Sequence, residues 1–225
     1  MNGNQKHLNR IDTVNLGSYY TPEIIVDLAY FILQKNILNV KDFTILDSSC
    51  GYGSFLAKKN IAKRVVGADI DEKAISEAKK RINNVDFICQ NSLVSVCRKN
   101  LAIKNDEKLI AIGNPPYNDI TSIIRNSIKD ASIQDKIDSD VKTRDLGMSF
   151  LLSYNKLQAD YVCVLHPLSY LIKKANFALL SKFAKNYKLI DGTIISSQEF
   201  SDTSRGMAFP ILIALYKKDQ NGMTY

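Results

Sequence analysis

The sequence predicts an α/β protein built on an open sheet with helices packed against it. Three observations carry this. Short apolar runs of strand length alternate with segments of helical period. Polar, turn-forming strings follow those runs, at the ends where open sheets of this kind take their ligands. The last two runs, Leu189 to Ser196 and Ala208 to Tyr216, flank one connection, Ser197 to Met207, and read as a closing hairpin.

The string Ala111-Ile112-Gly113-Asn114-Pro115-Pro116-Tyr117 carries the most chemistry. It continues an apolar run from Leu109 that reads as a buried strand, stopped at its carboxyl end by the glycine and the prolines. Asn114 offers an amide oxygen as acceptor, and Pro115 a carbonyl with no N–H. Pro116 holds Pro115 extended and so fixes where that carbonyl points. Two fixed acceptors side by side suit a planar NH2 group, which has two hydrogens to give. Tyr117 adds an aromatic face for a flat ring. The lone pair of an exocyclic amine is delocalised into its ring. Acceptors gripping its hydrogens raise electron density on the nitrogen, which is stabilisation by preorganised dipoles.

Composition narrows the partners. At 225 residues, 45% hydrophobic and 24% charged, the chain has ordinary globular values and length for one domain with a full core. A net charge of +7 favours a polyanion such as nucleic acid. No apolar run is long enough to span a bilayer, and Met1 to Asp12 lack the apolar core of a signal peptide. Cys50, Cys89, Cys97 and Cys163 show no Cys-x-x-Cys spacing, so no metal site or disulfide framework is expected and a reduced, cytoplasmic compartment is the default.

Along the chain, residues 1–16 read as a tail or surface strap. Thr21 is placed to cap a helix with Pro22 in its first position and Glu23 in its first turn. Ile24, Ile25, Leu28, Ala29, Phe31 and Ile32 continue it at helical spacing. Phe43 to Leu46 is the first strand, leading into Asp47-Ser48-Ser49-Cys50-Gly51-Tyr52-Gly53 and a following helix; the glycines let backbone pass close to a ligand. Arg64 to Ala68 is the second strand, ending at Asp69-Ile70-Asp71. Asp69 suits ribose hydroxyls with Ile70 against an adenine ring, and Asp71 caps a helix over Glu72 to Ile82, although position alone leaves the two acids interchangeable. Val85 to Cys89 is the third strand, ending at Gln90-Asn91-Ser92, and a helix is expected from Leu93 to about Asn100.

Residues 118–144 are polar and mixed in charge. They read as a mobile insertion or a solvated loop, with one short amphipathic helix through isoleucines 120, 123, 124, 128 and 133. Arg125, Lys142 and Arg144 within it, and Arg205 in the last connection, are candidates to meet a nucleic-acid backbone. A helix is expected over Asp145 to Leu157, then a fifth strand over Tyr161 to Leu165 that ends at His166-Pro167, and one long helix from Tyr170 to about Lys185. A lone histidine before proline is more often structural than catalytic.

Gly-Asn-Pro-Pro-Tyr behind a buried strand resembles motif IV of the S-adenosylmethionine-dependent amino methyltransferases. Gly17-Ser18-Tyr19-Tyr20-Thr21-Pro22 resembles motif X, and Asp47-x-x-x-Gly51-x-Gly53-x-Phe55 motif I, of the gamma-class N6-adenine DNA methyltransferases; Ser48 stands where that class usually has proline. The resemblance runs from about Gly17 to Tyr216, so residues 17–216 are expected to be a catalytic domain and 217–225 a C-terminal tail. It implies a seven-stranded, mostly parallel sheet with an antiparallel last strand, the Rossmann-like class I arrangement. It also implies that Tyr20, Thr21 and Pro22 help hold the methionine end of the cofactor. Asp47 would face its amino group, Ser49, Gly51 and Gly53 would approach the methionine and ribose portion, and Asn91 and Ser92 its adenine, with Asp86 as an alternative register for Asn91. The target adenine, flipped out of duplex DNA, would lie between Tyr117 and Phe200, its amine on Asn114 and Pro115.

Only nine residues follow Tyr216, where family members normally continue into a target-recognition domain. A separate specificity subunit or a missing domain is therefore expected, in a restriction-modification system at the nucleoid of a bacterial cytoplasm. Two rivals share the residues: a protein glutamine N5-methyltransferase, whose carboxamide presents the same two hydrogens, and a catalytically silent subunit that keeps the fold. RNA adenine is a third substrate.

Overall fold

The computed structural model describes residues 21–58, 61–117, 136–200 and 208–225. The elements are α1 (Glu23–Asn36), β1 (Thr44–Asp47), β2 (Arg64–Asp69), α2 (Glu72–Arg81), β3 (Asp86–Cys89), β4 (Leu109–Gly113), α3 (Leu146–Lys156) and β5 (Tyr161–Pro167). They are followed by three short helices, α4 (Ser169–Ile172), α5 (Lys174–Leu179) and α6 (Ser181–Ala184), and by β6 (Tyr187–Ser196) and β7 (Pro210–Lys218). The seven strands form one sheet in the order β3-β2-β1-β4-β5-β7-β6. All pairings through β5 are parallel, and β7 runs antiparallel to both of its neighbours. The carboxyl ends of β1 to β6 therefore share one rim of the sheet. The strand order reverses between β1 and β4, the place where such sheets open a ligand crevice.

The central strands are apolar on both faces because both are covered. Every residue of β1 and β4 is buried. On one face Ile45, Ile110, Ile112 and Leu165 pack against Ile25, Val26, Ala29 and Leu33 of α1. On the other, Leu46, Ala111 and Val164 pack against Met148, Leu151 and Tyr154 of α3 and Phe183 of α6. Each fully buried Leu, Ile or Val contributes roughly 1.5–3 kcal/mol, so the strands nearest the crevice are also the best anchored.

Several elements depart from expectation, each for a local reason. Pro22, not Thr21, is the cap residue of α1: its carbonyl accepts from Ile25 and Val26, and the Thr21 side chain makes no cap. Ile24 and Phe31 lie seven residues apart on the outer face of α1, 66% and 64% exposed, because the inward stripe runs through Ile25, Ala29 and Ile32. The helix after Gly53 is a single 3-10 turn, Ser54–Leu56, among the described residues. No α-helix forms from Leu93 to Asn100, only a 3-10 turn at Lys99–Leu101. Ser95 adopts a φ of +51, and its N–H and that of Val96 both donate to the Asp138 carboxylate.

The long helix after β5 is broken in three, with Lys173 extended between α4 and α5. Residues 118–135 lie outside the described part, and with them Arg125 and the amphipathic helix expected there. The rest of that insertion is docked: Ile137 and Val141 are core residues, and Asp138 is paired with Lys156. The C-terminal tail is docked too. β7 extends to Lys218, Met223 N–H donates to the Ala184 carbonyl, and the Tyr225 hydroxyl donates to that of Ile172.

Candidate active site

The rim at the carboxyl ends of β1 to β4 gathers most of the polar residues singled out from the sequence. After β1 the chain turns through Gly51 and Gly53, at φ +51 and +81, and is laced to β2: the Cys50 N–H donates to the Ala68 carbonyl. Asp69, the last residue of β2, accepts from Gly51 N–H at 2.7 Å through one oxygen and from Asp71 N–H at 2.9 Å through the other. It therefore holds the glycine turn while each oxygen keeps a second lone pair for a ligand. Asp71 accepts instead from Lys73 and Ala74 N–H and caps α2. Geometry thus separates two acids that spacing left interchangeable. Ile70 between them is 44% exposed at the edge of the crevice.

At the end of β3 the Asn91 side-chain oxygen accepts from Leu93 N–H, closing a tight turn that buries Ser92. Asp86 sits at the opposite end of β3 and pairs with Arg64 at 2.6 Å. Of the two registers, only Asn91 lies on the rim.

Asp47 closes β1 beneath β4 and is 1% exposed. Burial is the chief cause that pushes its carboxyl up from 3.8 to about 8, with the Asp69 charge adding to the rise and the Ser49 N–H, donated at 3.2 Å, opposing it. Gly113 explains why the strand ends in glycine. Its φ is +144, and a β-carbon there would stand 2.7 Å from an Asp47 carboxylate oxygen. Any side chain at 113 would displace the Asp47 carboxylate. Ser48, where the resembled class usually has proline, donates to the Tyr154 hydroxyl oxygen at 3.0 Å and ties this turn to α3.

Asn114 follows. Its amide NH2 donates to the Thr21 hydroxyl oxygen at 3.3 Å, and Thr21 is itself buried. Its amide oxygen is buried with no partner among the described residues. Two more unpartnered buried oxygens, Ser49 Oγ and Ser92 Oγ, sit at the ends of β1 and β3. Buried polar atoms normally find partners. Three unmet oxygens on one rim, with acids at the ends of β1 and β2, fit a polar ligand that brings hydrogen-bond donors and a positive charge. The donor set suits S-adenosylmethionine: Thr21, Pro22, Asp47, Ser49, Gly51, Gly53, Asp69, Ile70, Asn91, Ser92 and Asn114 are all at or beside this rim. Tyr20 lies outside the described residues.

The aromatic side of the site differs from expectation. Phe200 is 2% exposed. It follows a 3-10 turn capped by Ser196 and is packed into the core beneath α1, so it offers no face to a substrate ring. Phe209 is 40% exposed and meets Tyr117 edge to face, ring centres 6.5 Å apart. Tyr117 rests against α3, where a β-carbon at Gly147 would come 3.1 Å from that of Tyr117 and 2.5 Å from the Tyr170 hydroxyl. That hydroxyl donates to Asp145, the cap of α3. No sequence pattern marked Gly147, Asp145 or Tyr170 as neighbours of Tyr117, since they come from two other segments, the start of α3 and α4.

His166 is structural. Its Nδ1 faces the Pro167 carbonyl at 3.0 Å, its Nε2 accepts from the Tyr216 hydroxyl at 2.7 Å, and its ring stacks on Tyr170. Burial holds its pKa down at about 4. Arg144 donates to the Asn176 amide oxygen at 2.7 Å, Lys142 is exposed, and Arg205 lies outside the described residues. Among the described residues no helix is long and apolar enough to cross a membrane, and no group of three or more His, Cys, Asp or Glu is placed to hold a metal ion.

Comparison with known proteins agrees with this geometry. A candidate class I S-adenosylmethionine-dependent methyltransferase from Listeria monocytogenes superposes with a TM-score of 0.64 at 17% identity, over 98% of this chain and 66% of that one. A candidate RNA methyltransferase from Pyrococcus horikoshii gives 0.60 at 14%, over 91% and 88%. The methyltransferase subunit of a type I restriction-modification system from Streptococcus thermophilus gives 0.62 at 17%, over 89% of this chain but only 45% of its own length. No curated protein matches the chain in sequence. The shared architecture is the Rossmann-like class I methyltransferase fold. The sequence profile of the N-6 DNA methylases matches residues 7–182, and the chain belongs to that family.

Proposed function

We propose that the chain transfers a methyl group from S-adenosylmethionine to N6 of an adenine flipped out of duplex DNA. We further propose that it acts as the catalytic part of a restriction-modification system whose sequence specificity comes from a separate element. The observation that carries the reading is the Asn114 amide oxygen, buried and without a partner among the described residues, beside the rigid Pro115-Pro116 step. An acceptor so placed awaits a donor, and an amine on a flat ring supplies two.

The bound cofactor supplies an electrophilic methyl group on a positively charged sulfur. The chain's own residues do the rest. Asn114 Oδ1 and the Pro115 carbonyl each take one amine hydrogen, which turns the nitrogen lone pair out of conjugation with the ring. Tyr117 holds one ring face, with Phe209 beside it in place of the expected Phe200. Asp47 and Asp69 receive the amino and hydroxyl groups of the donor. The attack needs no general base, because the charge on sulfur is lost as the new bond forms, and the amine proton leaves afterwards. A net charge of +7 supports a nucleic-acid substrate. The Streptococcus thermophilus neighbour, described as one subunit of a larger system, supports a separate specificity element.

The test is transfer of labelled methyl to mixed-sequence duplex DNA, alone and with extract of the source cells, followed by nucleoside analysis. N6-methyladenine that falls at least 100-fold with Asn114→Ala, donor affinity being kept, is the expected result. Label in glutamine side chains or in RNA would move the reading to those substrates. Donor binding with no transfer under any condition would leave a silent subunit.

A further inference from the structure

The resemblance assigns Thr21 to the donor's methionine end, yet among the described residues its side chain hydrogen-bonds to Asn114. The two are 93 residues apart in the chain, and the amide NH2 of Asn114 reaches the Thr21 hydroxyl oxygen at 3.3 Å. We propose that Thr21 is a positioning residue for the transfer reaction: its hydroxyl oxygen holds the NH2 end of the Asn114 amide and so turns Oδ1 toward the amine to be methylated. The inference rests on the reading of Asn114 given above.

The physical problem is that a carboxamide has two ends of the same shape and opposite hydrogen-bonding sense. Turned one way, Asn114 presents an acceptor to the incoming amine. Turned the other way it presents two hydrogens to a group that also brings hydrogens, and binding fails. Nothing in the Gly-Asn-Pro-Pro-Tyr string decides between them, because the prolines fix only the backbone. Thr21 decides. It sits one residue before the cap of α1, is 4% exposed, and takes no part in capping that helix. Its hydroxyl is thereby left for Asn114. The hydroxyl's own proton has no acceptor among the described residues, so an acceptor on a bound molecule can take it. The lone pairs then face Asn114, and the NH2 end is held against them.

Two substitutions separate positioning from mere packing. Thr21→Val keeps the shape and removes the hydroxyl; Thr21→Ser keeps the hydroxyl and removes the methyl. Under single-turnover conditions on duplex DNA, Thr21→Val is expected to slow transfer about 10-fold or more. The rate is read with the donor saturating, so any loss of donor affinity from the missing hydroxyl does not enter it, and Thr21→Ser, which keeps the hydroxyl, should recover most of the rate that Thr21→Val loses. In the 15N-labelled protein with donor bound, the side-chain NH2 signals of Asn114, identified by their loss in Asn114→Ala, should shift in Thr21→Val and stay in Thr21→Ser. An unchanged rate in Thr21→Val, or a loss of donor affinity at an unchanged rate, would overturn the proposal. If the parent protein methylates no DNA, the functional reading falls separately, and the NH2 signals still judge Thr21: no shift on removing the hydroxyl sinks the positioning role.

Discussion

Asp47 is held far from its ordinary state. An acid whose pKa rises on folding, here from 3.8 to about 8, holds its proton more tightly in the native chain. Its contribution to stability is full at low pH and is lost as pH climbs toward the folded value, at up to about 1.4 kcal/mol per pH unit. His166 works in the opposite sense. Its pKa falls from 6.5 to about 4, so its contribution is lost as pH drops through that window. The two oppose one another at acid pH, and Asp47 acts without that opposition from about 6.5 to 8. The melting temperature of the ligand-free protein should therefore fall across that upper interval, and Asp47→Asn should flatten the fall. Asp69, also pushed up by burial, shares the direction, and comparison of the two variants separates them. A second prediction concerns the aromatic pair. Phe209→Ala should lower transfer to DNA while costing less than about 1.5 kcal/mol of stability, being partly exposed. Phe200→Ala should cost about 3–5 kcal/mol in urea titrations, as a buried ring does. Transfer unaffected by Phe209→Ala would remove it from the base site.

Helix α3 shows what a cap does when it also serves a neighbour. Asp145 accepts from Gly147 and Met148 N–H and from the Tyr170 hydroxyl. Asp71 caps α2 in the same way but at the surface. Asp71→Ala should therefore cost about 1 kcal/mol. Asp145→Ala should cost about 2–4 kcal/mol, since it also leaves a buried hydroxyl unmet. Equal losses in chemical denaturation would show that Tyr170 finds another partner. The contrast also marks what was legible at this scale. The Asp71 cap and all seven strands could be read from local pattern, because burial and capping are written in neighbouring residues. The break at Lys173 and the loss of a helix after Leu93 could not. Each depends on a distant group: Asn176 reaching back to Ser169, and Asp138 drawing in two N–H groups of the turn at Ser95.

At the scale of the molecule, the order of the strand-end strings announced the fold, and the sheet puts those strings on one rim. The placement of Asn114, Asp69 and the glycine turn at strand ends was legible because it is local to each strand. Thr21 as a partner of Asn114, Gly113 as the space Asp47 needs, and Phe209 beside Tyr117 were not, since each is a relation between segments that only the closed sheet brings together. That closure has a consequence for how the protein comes into being. β1 cannot pair with β4 until more than sixty further residues have been made, and the Thr21–Asn114 contact closes a span of 93. Contacts of such long range form late, and chains that depend on them fold slowly. A half-made or half-folded copy already carries the glycine turn and its acids, but its acceptor amide is not yet aligned. If Asn114 acts as proposed, a nascent chain is inert until β4 has docked, and the moment of folding is also the moment at which reactivity begins.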